Sequence, residues 1–199
     1  MDQMARLPRL YSPDTPHLLQ ARLLPGTVAP TVQMLDQWAL WLGQEAARPR
    51  MAVHGWAITP AEILLLMTPP DADGLRSLMQ TLGRRIAAQR GGGKVFAGRY
   101  HSALVEPHHW VLPALIWLEQ LPLRQELAHD AEHWRWSSAR VHSGAHPPGW
   151  LTVHADYWAC GNTPFDRQAR YRMLLQEGLG TMARSPDRSR PPWPVGAGR

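Results

Sequence analysis

The sequence predicts an α+β fold: split βαβ units forming one antiparallel sheet, with helices on one face and a C-terminal helical extension. Three observations predict it. Apolar segments of strand length alternate with segments of helical period, in the order strand, helix, strand, strand, helix, strand. Pro and Gly clusters punctuate them at Pro25-Gly26, Pro69-Pro70 and Gly91-Gly92-Gly93. The 199 residues are 44% hydrophobic and 19% charged, which is enough apolar material for one real core plus appendages.

The elements follow in order. Residues 1–16 are proline-rich and basic and read as an arm. His17 to Leu24 reads as the first strand, closed by Pro25-Gly26. Val32, Leu35, Trp38, Ala39 and Leu42 recur at helical spacing within a helix over 30–47. Met51 to Ile58 and Glu62 to Met67 read as an antiparallel hairpin whose second strand, very apolar, is central and buried. Asp71 or Asp73 caps the next helix, with an apolar stripe of Leu75, Leu78, Met79, Leu82 and Ile86 and a basic opposite face of Arg76, Arg84, Arg85 and Arg90. Gly91 to Gly93 ends it, and Ser102 to Val105 reads as the fourth strand. This order is that of ferredoxin-like folds. Trp110 to Gln120 adds a helix with Pro113 in its first turn or at a kink. Thr163 then caps a last helix that has Pro164 at its first position. The predicted division is a basic arm over 1–16, the ferredoxin-like domain over 17–128, a C-terminal extension over 129–183 and a disordered tail over 184–199.

The net charge of +5 and pI near 10.1 suit a polyanion partner, most often nucleic acid. Lys94 is the only lysine. Arginine's planar fork pairs with two phosphate oxygens, although a GC-rich genome would also enrich arginine. The single cysteine, Cys160, excludes an intrachain disulfide and a cysteine zinc site. No signal-peptide h-region and no apolar run of membrane-spanning length occurs, so a cytoplasmic protein without a membrane partner is expected.

Several segments, in order, resemble the HUH single-tyrosine transposase family, in particular its REP-associated branch. They are "MARLPRL" with the following "PH", "VHGWAITPAEILLLMTP" (Val53–Pro69), "LMQTLGRRIA" (Leu78–Ala87), "FAGRYHSALVE" (Phe96–Glu106), "WRWSSARVH" (Trp134–His142) and "TPFDRQARYRMLL" (Thr163–Leu175). The resemblance runs from about Met4 to about Leu175. It implies a DNA strand-transfer fold in which a His-hydrophobic-His triplet on a strand holds a divalent metal such as Mg or Mn. Side chains two apart on a strand share a face, so two imidazoles can grip one ion. The ion stabilises charge on the phosphate while a helical tyrosine attacks the phosphorus.

On this sequence the triplet falls on Glu62-Ile63-Leu64, preceded by Ala61. The tyrosine position falls on Trp117, and the polar helper one helical turn later on Leu121. Tryptophan has no attackable oxygen, leucine binds no metal, and Glu62 alone is one hard ligand. The resemblance therefore implies a degenerate member, a pseudoenzyme with no catalytic residues, no metal and no cofactor.

Other constellations are weaker. His129 and His133, and His142 and His146, are four apart, but without cysteine or a metalloprotease motif they make a poor zinc site. His54 is expected to satisfy a buried hydrogen bond, and His108-His109 to mark a helix start. Gly91-Gly92-Gly93-Lys94 lacks the context of a P-loop. The resemblance makes Arg6, Arg9, Arg84, Arg85, Arg99, Tyr100, His101, Arg135, Trp136 and Arg140 the expected DNA contacts, arginines on phosphates and aromatics on unpaired bases. A solvated basic face with core tryptophans explains the same residues singly. The expected partner is hairpin or single-stranded DNA, with a homodimer or protein partner also compatible. Two rivals stand beside this: an active enzyme with a non-standard metal site, and a repurposed protein-interaction module whose tryptophans form an interface.

Overall fold

A computed structural model describes residues 11–26, 29–47 and 51–178. The elements are β1 (His17–Arg22), α1 (Val32–Ala47), β2 (Ala52–Ile58), β3 (Glu62–Thr68), α2 (Gly74–Gln89), β4 (His101–Leu104) and α3 (Val111–Glu119). Short helices α4 (Leu121–Arg124), α5 (Ala139–His142) and α6 (Ala155–Trp158) follow, with a 3₁₀ turn at Ala131–His133, and then α7 (Pro164–Glu177). The strands form one sheet in the order β2-β3-β1-β4, every pair antiparallel. The chain is thus α+β with the split βαβ topology. Among the described residues, no helix is long and apolar enough to cross a membrane.

β3 is the central strand that its apolar run implies, buried from Glu62 to Met67. Its alternation feeds two cores. Ile63, Leu65 and Met67 face α1 and α2, meeting Leu35, Trp38 and Leu42 of the first and Leu75, Leu78 and Leu82 of the second. Leu64 and Leu66 face the other way, into a core with α3, α6 and α7. α1 and α2 therefore share one face, and the opposite face is covered by α3 and the C-terminal segment. All four strands differ from the sequence reading by a residue or two at an end, β2 starting at Ala52 and β3 running on to Thr68. β1 stops at Arg22, and Leu23 makes an isolated bridge to Phe96. β4 starts one residue early, at His101, because pairing with Gln20 of β1 sets its register. Pro113 lies in the first turn of α3, where no hydrogen bond is lost. Thr163 caps α7 by accepting the Asp166 amide, with Pro164 first in the helix.

β2 is an edge strand, and the C-terminal segment closes it. Ile58 N–H donates to the Trp136 carbonyl, Ser138 N–H to that of Trp56, and Thr152 N–H to that of Val53. An edge so covered offers no template for pairing with another chain. The β2–β3 register slips between Val53 and Gly55, a bulge that sets His54 apart. The His54 Nδ1–H donates to the Thr152 carbonyl at 2.8 Å and its Nε2 accepts from Thr68 Oγ1 at 2.9 Å, so this ring satisfies a buried bond as expected.

Gly55 sits where α3 crosses β2. A Cβ there would lie 2.5 Å from Leu115 Cδ2, and Leu115 is fully buried with no room to yield. Gly55→Ala is expected to lower stability by about 1–3 kcal/mol through overpacking, read as a fall in thermal midpoint.

A polar cluster lies beneath α3. Glu119 is fully buried. Its Oε1 accepts from Ser138 Oγ at 2.5 Å and from His142 Nδ1 at 2.6 Å, and its Oε2 from the Tyr171 hydroxyl at 2.7 Å. Burial, and the nearby Glu119 carboxylate, push the Tyr171 phenol well above its ordinary range. Ser138 also accepts the Trp56 amide, and Tyr157 donates to the His142 carbonyl. One carboxylate thereby ties α3 to α5 and α7.

Candidate functional site

The four positions that the sequence reading singled out, Glu62, Leu64, Trp117 and Leu121, lie on one face of the sheet. Leu64, Trp117 and Leu121 share one buried core on the α3 face of the sheet. Glu62 lies at the start of β3 on that same face, because strand side chains two apart point one way. Its oxygens are already engaged: Oε2 accepts from Gln20 at 2.7 Å and Oε1 from Gln125 at 2.8 Å. The Arg124 guanidinium stacks over the Trp117 ring at 4.2 Å and donates to the Trp117 carbonyl. Desolvation lowers the Arg124 pKa to about 10, with Glu62 opposing that shift, so the side chain stays cationic at neutral pH. This donor set does not fit a divalent ion. Leucine and indole supply no ligand, both Glu62 oxygens are occupied, and a fixed positive charge sits beside them. Gln20, Arg124 and Gln125 were missed by sequence reasoning. Gln20 is 42 residues from Glu62 and Gln125 is 63 away, so no local pattern links them. Among the described residues, no three His, Cys, Asp or Glu side chains are placed to hold a metal.

A second feature lies across the sheet. α2 and the loop 93–100 enclose an open groove of about 780 Å³. Arg76, Gln80 and Arg84 line its helix wall, and Lys94, Phe96, Arg99 and Tyr100 line its loop wall. Four of these residues are cations, and among the described residues no carboxylate lines the groove. Arg76 and Asp73, 3.9 Å apart, are both highly exposed, so that pair is worth little. Among the described residues Arg84 bonds Thr81 Oγ1 and Lys94 the Ala97 carbonyl, neither of them charged. Gly83 lets the helix and loop meet closely, since a Cβ there would lie 2.8 Å from the Phe96 ring.

The structure thus gathers Arg84, Arg99 and Tyr100, and adds Arg76 and Lys94, which the sequence reading placed on a basic helix face and in a loop. His101 is exposed on β4 opposite Gln20, on the α3 face rather than in the groove. Arg85 turns toward α1, 3.0 Å from Glu45 and bonded to Gln44, so its charge is answered internally. Arg135 pairs with Asp36 at 3.1 Å. Trp136, expected to stack on bases, is a core residue instead. It is 8% exposed, and its indole N–H donates to Asp36 at 2.8 Å, so neither ring face is open to a base. Arg140 is half-buried on α5, away from the groove. Arg6 and Arg9 lie outside the described residues. Of the histidine pairs, His142 is committed to Glu119, while His129 and His133 are exposed. Burial pushes the Cys160 thiol up, which leaves it a neutral, poor nucleophile.

No family model matches the chain, and no curated protein matches it by sequence. Among solved structures, the chain is similar to a REP-associated tyrosine transposase bound to a REP hairpin. The TM-score is 0.62, with 12% identity over 74% of this chain and 92% of the other. At that identity the likeness speaks for the backbone, and the chain has the α+β fold of a transposase of this kind.

Proposed function

We propose that the protein is a transposase-like DNA-binding protein that has lost strand cleavage and binds hairpin or single-stranded DNA. The observation that carries this reading is the groove lined by Arg76, Arg84, Lys94 and Arg99 on a transposase-like fold. The filled Glu62–Trp117 pocket supports the loss of chemistry, because it offers neither a metal ligand set nor an attacking hydroxyl. Such a protein would act in the cytoplasm as a repressor or structural factor, alone, as a homodimer or with a protein partner, and would need no cofactor.

Fluorescence anisotropy with a labelled DNA hairpin and a linear oligonucleotide tests the binding. The expected result is binding that weakens steeply as salt rises, because released counterions drive it. Undetectable or salt-insensitive binding would count against the reading and favour an interaction module. Incubation of the hairpin with Mg or Mn tests the chemistry. No nicked product and no covalent adduct on a denaturing gel is expected, and an adduct would establish an active enzyme instead.

A further inference from the structure

We propose that the cavity between α5, α6 and the start of α7 binds a carboxylate carried on a small apolar body, and that the Arg167 guanidinium holds it. The site does not rest on the DNA-binding reading, since the cavity shares no residue with the α2 groove. Arg167 lies one turn into α7, behind the Thr163 cap. The fold buries it to 8% exposure, yet among the described residues no carboxylate pairs with it. Asp156 and Asp166 are close in the chain, but both are engaged elsewhere. Asp156 accepts the His108 amide at 2.7 Å, and Asp166 accepts the Thr163 hydroxyl at 2.6 Å. A buried cation without a counter-charge is costly, and an anion supplied from outside relieves that cost.

The guanidinium is set to grip a carboxylate in its own plane. The Trp158 ring covers one of its faces at 4.1 Å, and Nη1 donates to the Gly161 carbonyl at 3.1 Å. The remaining donors of the fork are bonded to no described residue. Stacking occupies a face and leaves the N–H edges, where two parallel N–H groups match the two oxygens of a carboxylate. The rest of the wall is largely apolar. Val141, Val153, Tyr157 and Pro164 line it with the half-exposed Trp158, and among the described residues no Asp or Glu does. The Tyr157 hydroxyl is already spent on the His142 carbonyl. The volume of about 380 Å³ lies toward the lower end of small-ligand sites, about 300–1,000 Å³. An inorganic anion would leave the apolar wall bare, and a neutral apolar molecule would leave the cation unanswered. An acid with a short apolar body answers both.

The test titrates the full chain with phenylbutyrate at neutral pH and follows the indole N–H resonances by NMR, with that of Trp158 identified by its loss in Trp158→Phe. Phenylbutyramide, which lacks the charge, and acetate, which lacks the apolar body, are titrated in parallel. The expected result is a saturable shift at Trp158, with phenylbutyrate binding about tenfold or more tighter than either control. Arg167→Lys keeps the charge but loses the fork and should weaken binding about tenfold, and Arg167→Met should abolish it. Arg170→Ala, on the same helix but outside this cavity, should bind as the unaltered protein does. A free acid and the C-terminal end of a peptide carry the same chemistry, so a short apolar peptide acid and its amide form a second arm. Tighter binding of phenylbutyrate makes the ligand a free molecule, tighter binding of the peptide acid makes it a chain end, and either upholds the site. The comparison of acid with amide is made on the unaltered protein, so a variant that fails to fold does not spoil it. No saturable shift with either acid, equal binding of acid and amide, or full binding by a folded Arg167→Met protein would overturn the assignment.

Discussion

Glu119→Ala is expected to lower the stability of the protein by about 3–5 kcal/mol, read by urea unfolding at neutral pH. The carboxylate accepts from Ser138, His142 and Tyr171 with no exposure to water. Removing it strands the buried donors of His142 and Tyr171 and leaves Ser138 Oγ only its longer bond to the Trp56 carbonyl, and among the described residues His142 Nε2 already lacks a partner. Each unsatisfied group carries a desolvation cost of about 1–3 kcal/mol. Tyr171→Phe, which removes one donor and keeps the ring, should lose much less, near 1 kcal/mol. A Glu119→Ala protein as stable as the unaltered one would show that the cluster contributes nothing net.

Stability should also fall by about 3 kcal/mol as the pH drops from 6.5 to 4, on account of His54 alone. Burial lowers the pKa of His54 from 6.5 to about 4, partly offset by its bond to the Thr152 carbonyl. Above pH 6.5 the ring is neutral in both folded and unfolded chains, and its contribution is fully present. Between 6.5 and 4 the unfolded chain takes up a proton that the folded chain refuses, so acid favours unfolding. Burial also lowers the pKa values of His17 and His154, which add in the same direction. Urea melts at pH 7 and pH 4.5 measure the fall. His54→Gln should start lower at pH 7 but lose less on acidification, whereas an equal slope in both proteins would acquit His54.

The legibility of this chain follows from the range of its interactions. The β3 run, the apolar stripe of α2 and the Thr163-Pro164 helix start were readable because the periodicity or cap lies within a few residues. Glu62, Leu64, Trp117 and Leu121 could be nominated because a family resemblance supplied the spacing, and the fold brings them to one face. What fills that face was not readable. The Gln20, Gln125 and Arg124 contacts depend on register and on the turn after α3. Trp136 was misjudged because a tryptophan beside arginines looks alike whether it stacks on a base or on a core. Only the fold supplies Asp36 as partner to both its indole and Arg135. The groove was half legible: the arginines of α2 were read as one face, but the facing loop was read as a connector.

The closure of β2 by the C-terminal segment bears on how the chain is made. Tyr171 is 52 residues downstream of Glu119, and at about 5–20 residues per second a ribosome takes roughly 3–10 s to cover that distance. Until residues 136–152 emerge the β2 flank is bare, and until Tyr171 follows the Glu119 carboxylate lacks one of its three hydrogen-bond partners. A chain truncated after residue 128 would be frozen in this half-built condition and should precipitate or recruit chaperones instead of standing as an autonomous module.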